Sequence, residues 1–261
     1  MNLDFSKPIS GYEFLSLCFS IVALFIPVLK FLYVKYLCPL KLEFYPNNKI
    51  KLYFNRSGAY VRIDGSYESK NKTTIFKVIK VLIKRNQDNS DLNLIWSSFV
   101  SPFSQRSNSG YIDVIETAHP ITQYQDTMQP LFIEFADPYS TIENLHVAYS
   151  DKIQTFINDI DVTSMSYEEA KNNICRNDVF IEYKNKIFNE LFWKLGRYSV
   201  NIFVEYNDNE RKVFSYYFEI NENISKKLES NIEELLLLPL KNMYNIPYCF
   251  NNCDVSLHEH R

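Results

Sequence analysis

Between Phe14 and Val34 the chain reads FLSLCFSIVALFIPVLKFLYV, about 21 residues in which Lys30 is the single charge. At 1.5 Å per residue a helix of that length crosses the roughly 30 Å hydrocarbon core of a bilayer. No other feature narrows the architecture as far: such a run predicts a single-pass membrane helix. Lys30 lies near the end of the run, where its long stem can carry the ammonium to the interface. Pro27 is tolerated within a membrane helix when neighbouring groups take up the carbonyl it frees. Tyr12 precedes the run and Tyr33 and Tyr36 close it, at the depth where aromatic side chains favour the headgroup region. The expected layout is a short lead over residues 1–13, a transmembrane helix over 14–37, and a soluble domain over 40–261.

Three other readings of the run fit less well. A cleaved signal peptide needs a basic start and a small-x-small cleavage site, whereas Asp4, Lys7 and Glu13 precede this run and Cys38-Pro39-Leu40 follows it. A lipoprotein signal needs small residues before its cysteine, and Tyr36-Leu37 stand before Cys38. A buried core helix is usually shorter and more polar than this.

Charge supplies the orientation. Between Lys30 and Arg85 there are 13 basic residues against Glu43, Asp64 and Glu68, while Asn86 to Arg261 holds 14 basic and 26 acidic residues. Because positive flanks stay on the cytoplasmic side, the domain after the helix is expected to be cytoplasmic. Lys30, Lys35 and Lys41 stand closest to the bilayer and are candidates for anionic headgroups. The basic stretch continuing to Arg85 reads either as part of that contact or as a solvated strand face. The five cysteines, Cys18, Cys38, Cys175, Cys249 and Cys253, form no dense disulfide framework, which agrees with a reducing compartment. The Asn-x-Ser/Thr triplets at Asn55, Asn71 and Asn223 would matter only in a secretory lumen.

Past the helix, strand-like runs alternate with turn residues: Lys49 to Phe54, Tyr60 to Tyr67, Thr74 to Lys84, Leu92 to Phe99, Tyr111 to Thr117 and Pro130 to Phe135. Pro46-Asn47-Asn48 and Arg56-Ser57-Gly58 read as breaks between them. The clearest alternation puts Tyr198, Val200, Ile202, Val204 and Tyr206 on one face, followed across an Asn-Asp-Asn turn by Phe214, Tyr216, Phe218 and Ile220. Tyr and Phe make most of the 16% aromatic content, which suits strand packing better than a carbohydrate platform. A helical insertion is expected over about 142–173, with Ser166 as a cap, and a last helix over about 225–238, ended by Pro239. The fold class is therefore mainly β: an antiparallel, immunoglobulin-like sandwich with helical insertions behind one transmembrane helix.

Chemical motifs are sparse. The five glycines are too scattered for a dinucleotide fingerprint or a P-loop, and no Gly-x-Ser-x-Gly elbow or His-Glu-x-x-His pair exists. His119, before Pro120, reads as a loop residue; His146 is the other histidine within the fold. Cys249, Cys253, His258 and His260 have zinc-ligand chemistry, but their spacing matches no common ribbon or finger and a free tail explains them more simply. The acid pairs Asp159 with Asp161, Glu168 with Glu169, and Glu233 with Glu234 carry no hydrolase signature. No catalytic, cofactor-binding or metal-ligating residue is assigned, and nothing suggests a nucleic-acid module. Three functions remain in view. The first is a non-enzymatic interaction protein presenting its cytoplasmic domain to a protein partner or to a second copy. The second is a membrane effector, as in stress or phage defence, that senses a ligand or partner and assembles its helices. The third is a zinc-dependent or carboxylate hydrolase.

Overall fold

The computed structural model describes residues 10–107, 110–159, 165–207 and 210–259, the side chains of Val34, Lys35 and residues 102–113 excepted. The lead up to residue 9, Asp161 and His260 lie outside the described residues, as does the side chain of Lys35.

The apolar run forms helix α1, Gly11–Leu32, continued by a short π-helical turn, Tyr33–Leu37. Ser10 caps it, with Glu13 returning the bond in a capping box. It is the one helix among the described residues long and apolar enough to cross a membrane, and none of it is buried against the rest of the chain.

Among the described residues eleven strands follow: β1 (Lys41–Asn55), β2 (Gly58–Lys70), β3 (Thr74–Arg85), β4 (Asp91–Ser107), β5 (Gly110–Thr117), β6 (Ile121–Gln123), β7 (Met128–Ala136), β8 (Gly196–Tyr206), β9 (Glu210–Ile220), β10 (Asn252–Ser256) and β11 (His258–Glu259). Interspersed among these are helices α2 (Ile142–Asp159), α3 (Tyr167–Cys175), α4 (Asp178–Glu190), α5 (Glu222–Leu236) and α6 (Leu238–Met243).

The mainly antiparallel β character expected from the alternation is present, but the strands do not form two facing sheets. They make one continuous sheet in the order β10-β1-β2-β7-β4-β3-β8-β9-β11, with β5 added to β4 and β6 to β3. Its two edges meet at the C-terminal segment, where β10 pairs with β1 and β11, one residue on, pairs with β9. The sheet thus curls into a nearly closed barrel, which removes the exposed edges that a sandwich keeps. Consecutive strands are not always neighbours, since β7 sits between β2 and β4.

Bulges keep apolar residues facing inward around this curve. In β1 the register shifts between Pro46 and Ile50 by an even number of residues, which leaves Leu42 and Phe44 before it and Ile50, Leu52 and Phe54 after it all pointing inside. Pro46-Asn47-Asn48 is therefore a kink within one strand, not a break. A second shift in β3 lets Phe76 and Ile79, three residues apart, both face the core. The interior is packed: Phe44 stacks on Tyr67 at 4.4 Å, and Tyr198 lies parallel to Phe218 at 4.9 Å.

The helices close the end of the barrel opposite α1. Helix α5 buries Leu228, Ile232, Leu235 and Leu236, an i, i+4, i+7, i+8 stripe. Its fully buried Asn231 donates to the Phe54 and Asn251 carbonyls at 2.9 and 2.8 Å, and accepts from the Asn251 amide at 2.7 Å. Trp193, also fully buried, donates to the Tyr53 carbonyl at 2.7 Å. Pro239 does not end the last helix; α5 stops at Leu236, and Pro239 lies in the first turn of α6, where its missing N–H costs nothing.

Candidate functional site

At the helix-capped end a surface cleft of about 800 Å³ is assembled from four stretches of chain. The β1–β2 turn supplies Asn55, Arg56 and Ser57. Its shape is set by an Asx turn, with the Asn55 carboxamide oxygen accepting from the Ser57 amide at 2.8 Å, and by Gly58 at φ +89°, a conformation that side chains resist. Helix α2 supplies His146, Ser150 and Gln154, spaced by four residues and so aligned on one face. Helix α6 contributes an apolar floor through Leu238, Pro239 and Met243, and Tyr248 and Phe250 form a mixed polar and aromatic edge.

Arg56 is the cation of the cleft, held at 3.2 Å by Glu143 with both side chains half exposed. At that exposure the pair orients the guanidinium more than it stabilises the fold. His146 is only 7% exposed, and neither ring nitrogen makes a hydrogen bond of ordinary geometry. Burial, with Arg56 adding to it, pushes its pKa below the usual imidazole value; the Leu235 carbonyl and Glu143 pull the other way without reversing the shift. The ring is thus held neutral at pH 7, in a cleft otherwise rich in amides and hydroxyls. Such a surface recognises polar groups through many neutral hydrogen bonds and one positive charge.

The other sequence candidates disperse. His119 is exposed on the β5–β6 connection, 3.0 Å from the Thr117 carbonyl and edge-on to Phe99, beside a smaller cleft of about 420 Å³. Cys253 is buried in β10, Cys249 is exposed, and His258 is exposed against the Tyr217 ring. Among the described residues no three His, Cys, Asp or Glu side chains converge to hold a metal. Of the acid pairs, Glu169, Glu233 and Glu234 are each taken up separately. Glu169 closes the capping box with Ser166. Glu233 pairs with Lys171 and Lys184. Glu234 holds Lys241 at 2.5 Å and accepts from the Cys249 amide.

Sequence reasoning passed over Tyr248, Phe250 and the polar face of α2. The one available signal was the four-residue spacing of His146, Ser150 and Gln154, a row that starts on the helix's buried stripe at His146 and turns out to the exposed Gln154.

No protein-family model and no curated protein matches the chain. Among solved structures, it is similar to a family 123 glycoside hydrolase from Clostridium perfringens that hydrolyses glycolipid glycans, with 8% identity, a TM-score of 0.31, and coverage of 70% of this chain and 27% of that one. A likeness at that level assigns neither fold nor activity.

Proposed function

We propose that this chain is a membrane-anchored, non-enzymatic recognition protein: α1 spans the bilayer, the barrel stands in the cytoplasm, and the helix-capped end meets a protein partner through the cleft around Arg56. The observation that carries this reading is the placement of the two features. Strand β1 begins at Lys41, four residues after the π-helical turn, and ends at Asn55 in the cleft wall. A single strand thus runs from the anchor to the recognition site, on opposite ends of the barrel. The basic residues following α1 support the cytoplasmic orientation. That no three His, Cys, Asp or Glu side chains converge among the described residues favours binding over catalysis.

The test is capture of partners by full-length protein extracted from membranes, comparing wild type with Arg56→Glu/Tyr248→Glu. A discrete set of cytoplasmic proteins retained by wild type and lost from the variant is the expected result. Equal retention by both would remove the cleft from the account.

A second reading, a sensing effector, draws on the same strand, because a rigid connection from cleft to anchor can pass binding on to the assembly of α1 helices. Arrest of growth on expression, abolished by removing α1, is what that version expects; indifferent growth in both cases would eliminate it.

A further inference from the structure

Resting on the reading of α1 as a membrane helix, we propose that the α1 end of the barrel is itself a membrane-contact surface, with Tyr124, Met128 and Ile75 seated in the interfacial layer beside the anchor.

The argument begins with reach. Only Cys38, Pro39 and Leu40 separate the π-helical turn from β1. At up to about 3.6 Å per residue they span on the order of 10–14 Å, while the headgroup layer of one leaflet is roughly 5–8 Å deep. An anchor that stops at the hydrocarbon boundary therefore keeps the barrel end within roughly 10 Å of the headgroup surface even with the linker fully extended.

The linker is also fastened. Asn71 donates its side-chain amide to the Pro39 carbonyl at 2.9 Å, and its backbone amide to the Asp126 carboxylate at 3.2 Å. Asp126 in turn donates its amide to the Ser69 carbonyl at 2.7 Å, and the Gln125 amide reaches the Thr73 hydroxyl at 3.1 Å. Asn71 and Asp126 both take positive φ, at 73° and 54°, a geometry that suits these two residue types in tight turns. The linker, the β2–β3 turn and the β6–β7 loop thus form one bonded unit, and whatever the loop carries is held close to the anchor.

What it carries is apolar. Tyr124 is 64% exposed, Met128 59% and Ile75 46%, although Gln123, Thr74 and Phe76 between and beside them are buried. Ile75 and Thr122 are paired positions on β3 and β6, and Tyr124 follows two residues on along the same outward face. Large side chains left bare next to a membrane anchor gain most by entering the interface, where a tyrosine can bury its ring and keep its hydroxyl wet.

Two of the cations at this end are already paired within the barrel. Lys41 and Lys70 are both engaged by Glu43, at 2.5 and 2.7 Å, and these two bonds, with one from the Tyr45 hydroxyl, draw the Glu43 carboxyl down to about 2. The contact is accordingly expected on zwitterionic lipid, without a requirement for anionic headgroups.

The experiment uses the full chain reconstituted in phosphatidylcholine vesicles, with Tyr124→Trp and Met128→Trp as independent probes and Tyr139→Trp, 84% exposed in the loop before α2, as the control. The unsubstituted chain, carrying only Trp96 and Trp193, sets the background. Lipids brominated close to the carbonyl region are expected to quench the probes at 124 and 128 at least twofold more than the probe at 139. Vesicles that float with the protein while all three probes are quenched alike overturn the contact and leave the anchor standing. Protein that fails to float with vesicles after an alkaline wash overturns the anchor reading, and the contact with it. Quenching that appears only when phosphatidylserine is added overturns the apolar contact in favour of an electrostatic one.

Discussion

The two ends of the barrel are built differently from the same strands. At the α1 end, strands are joined by tight turns in which Asn71, Asp126 and Asn207 take positive φ, and large apolar side chains stay bare. At the other end, the connections between β7 and β8 and between β9 and β10 grow into helices that bury Trp193 and Asn231. Buried anchoring side chains thus gather at the helix-capped end, although Tyr139, Leu195 and Tyr248 stay exposed there too. Stability is therefore concentrated at the capped end, and local change at the α1 end should be well tolerated.

The sharpest test of that asymmetry is Trp193→Ala. It removes a fully buried indole packed against Phe192, Tyr198 and Phe218, together with its bond to Tyr53. A loss of about 3–5 kcal/mol is expected, read by denaturant unfolding of the reconstituted chain; a loss under about 1 kcal/mol would mean the cap is loosely packed. Next comes Asn231→Ala, which strands two carbonyls and an amide. About 2–3 kcal/mol is expected, and a value near zero would show that water replaces the side chain.

The third effect is pH-dependent. The His146 pKa is lower in the fold than in the unfolded chain, so the unfolded state binds more protons between the two values. The stabilisation is fully present above about pH 6.5 and is lost as pH falls towards the lowered folded value. His146→Gln should flatten this part of the melting-temperature profile between pH 7 and pH 5; a superimposable profile would show that the imidazole does not titrate as described. Smallest of all is Asn71→Gly, which keeps the positive φ and loses one exposed bond to Pro39. Global unfolding should shift by under about 1 kcal/mol, while amide exchange quickens in residues 69–74 and 124–127. A large global shift here would erase the contrast between the two ends.

Parts of this architecture were legible in the sequence for physical reasons. The apolar run of α1 and the β8–β9 hairpin stand out because each faces one uniform environment, hydrocarbon-compatible all round in the first and core against water in the second. Barrel closure was not legible. It depends on β10, where Cys253 and Val255 are the only inward residues, too short an alternation to register beside its neighbours. Helix α4 was passed over although Phe180, Tyr183 and Ile187 recur at helical spacing. Pro239 misled because proline is compatible with a helix's first turn as well as with its end. The cleft was hidden for a different reason: Arg56, His146, Met243 and Tyr248 meet only through the fold, and no spacing along the chain announces them.

The central claim is that α1 anchors a cytoplasmic barrel, and the most direct measurement is a topology assay. Reporters active on only one side of the membrane would be fused after Arg261, and the cells fractionated with an alkaline wash. The account predicts a wash-resistant membrane protein whose C-terminal reporter is active in the cytoplasm. A soluble, released domain, or a reporter active only on the far side, would contradict it.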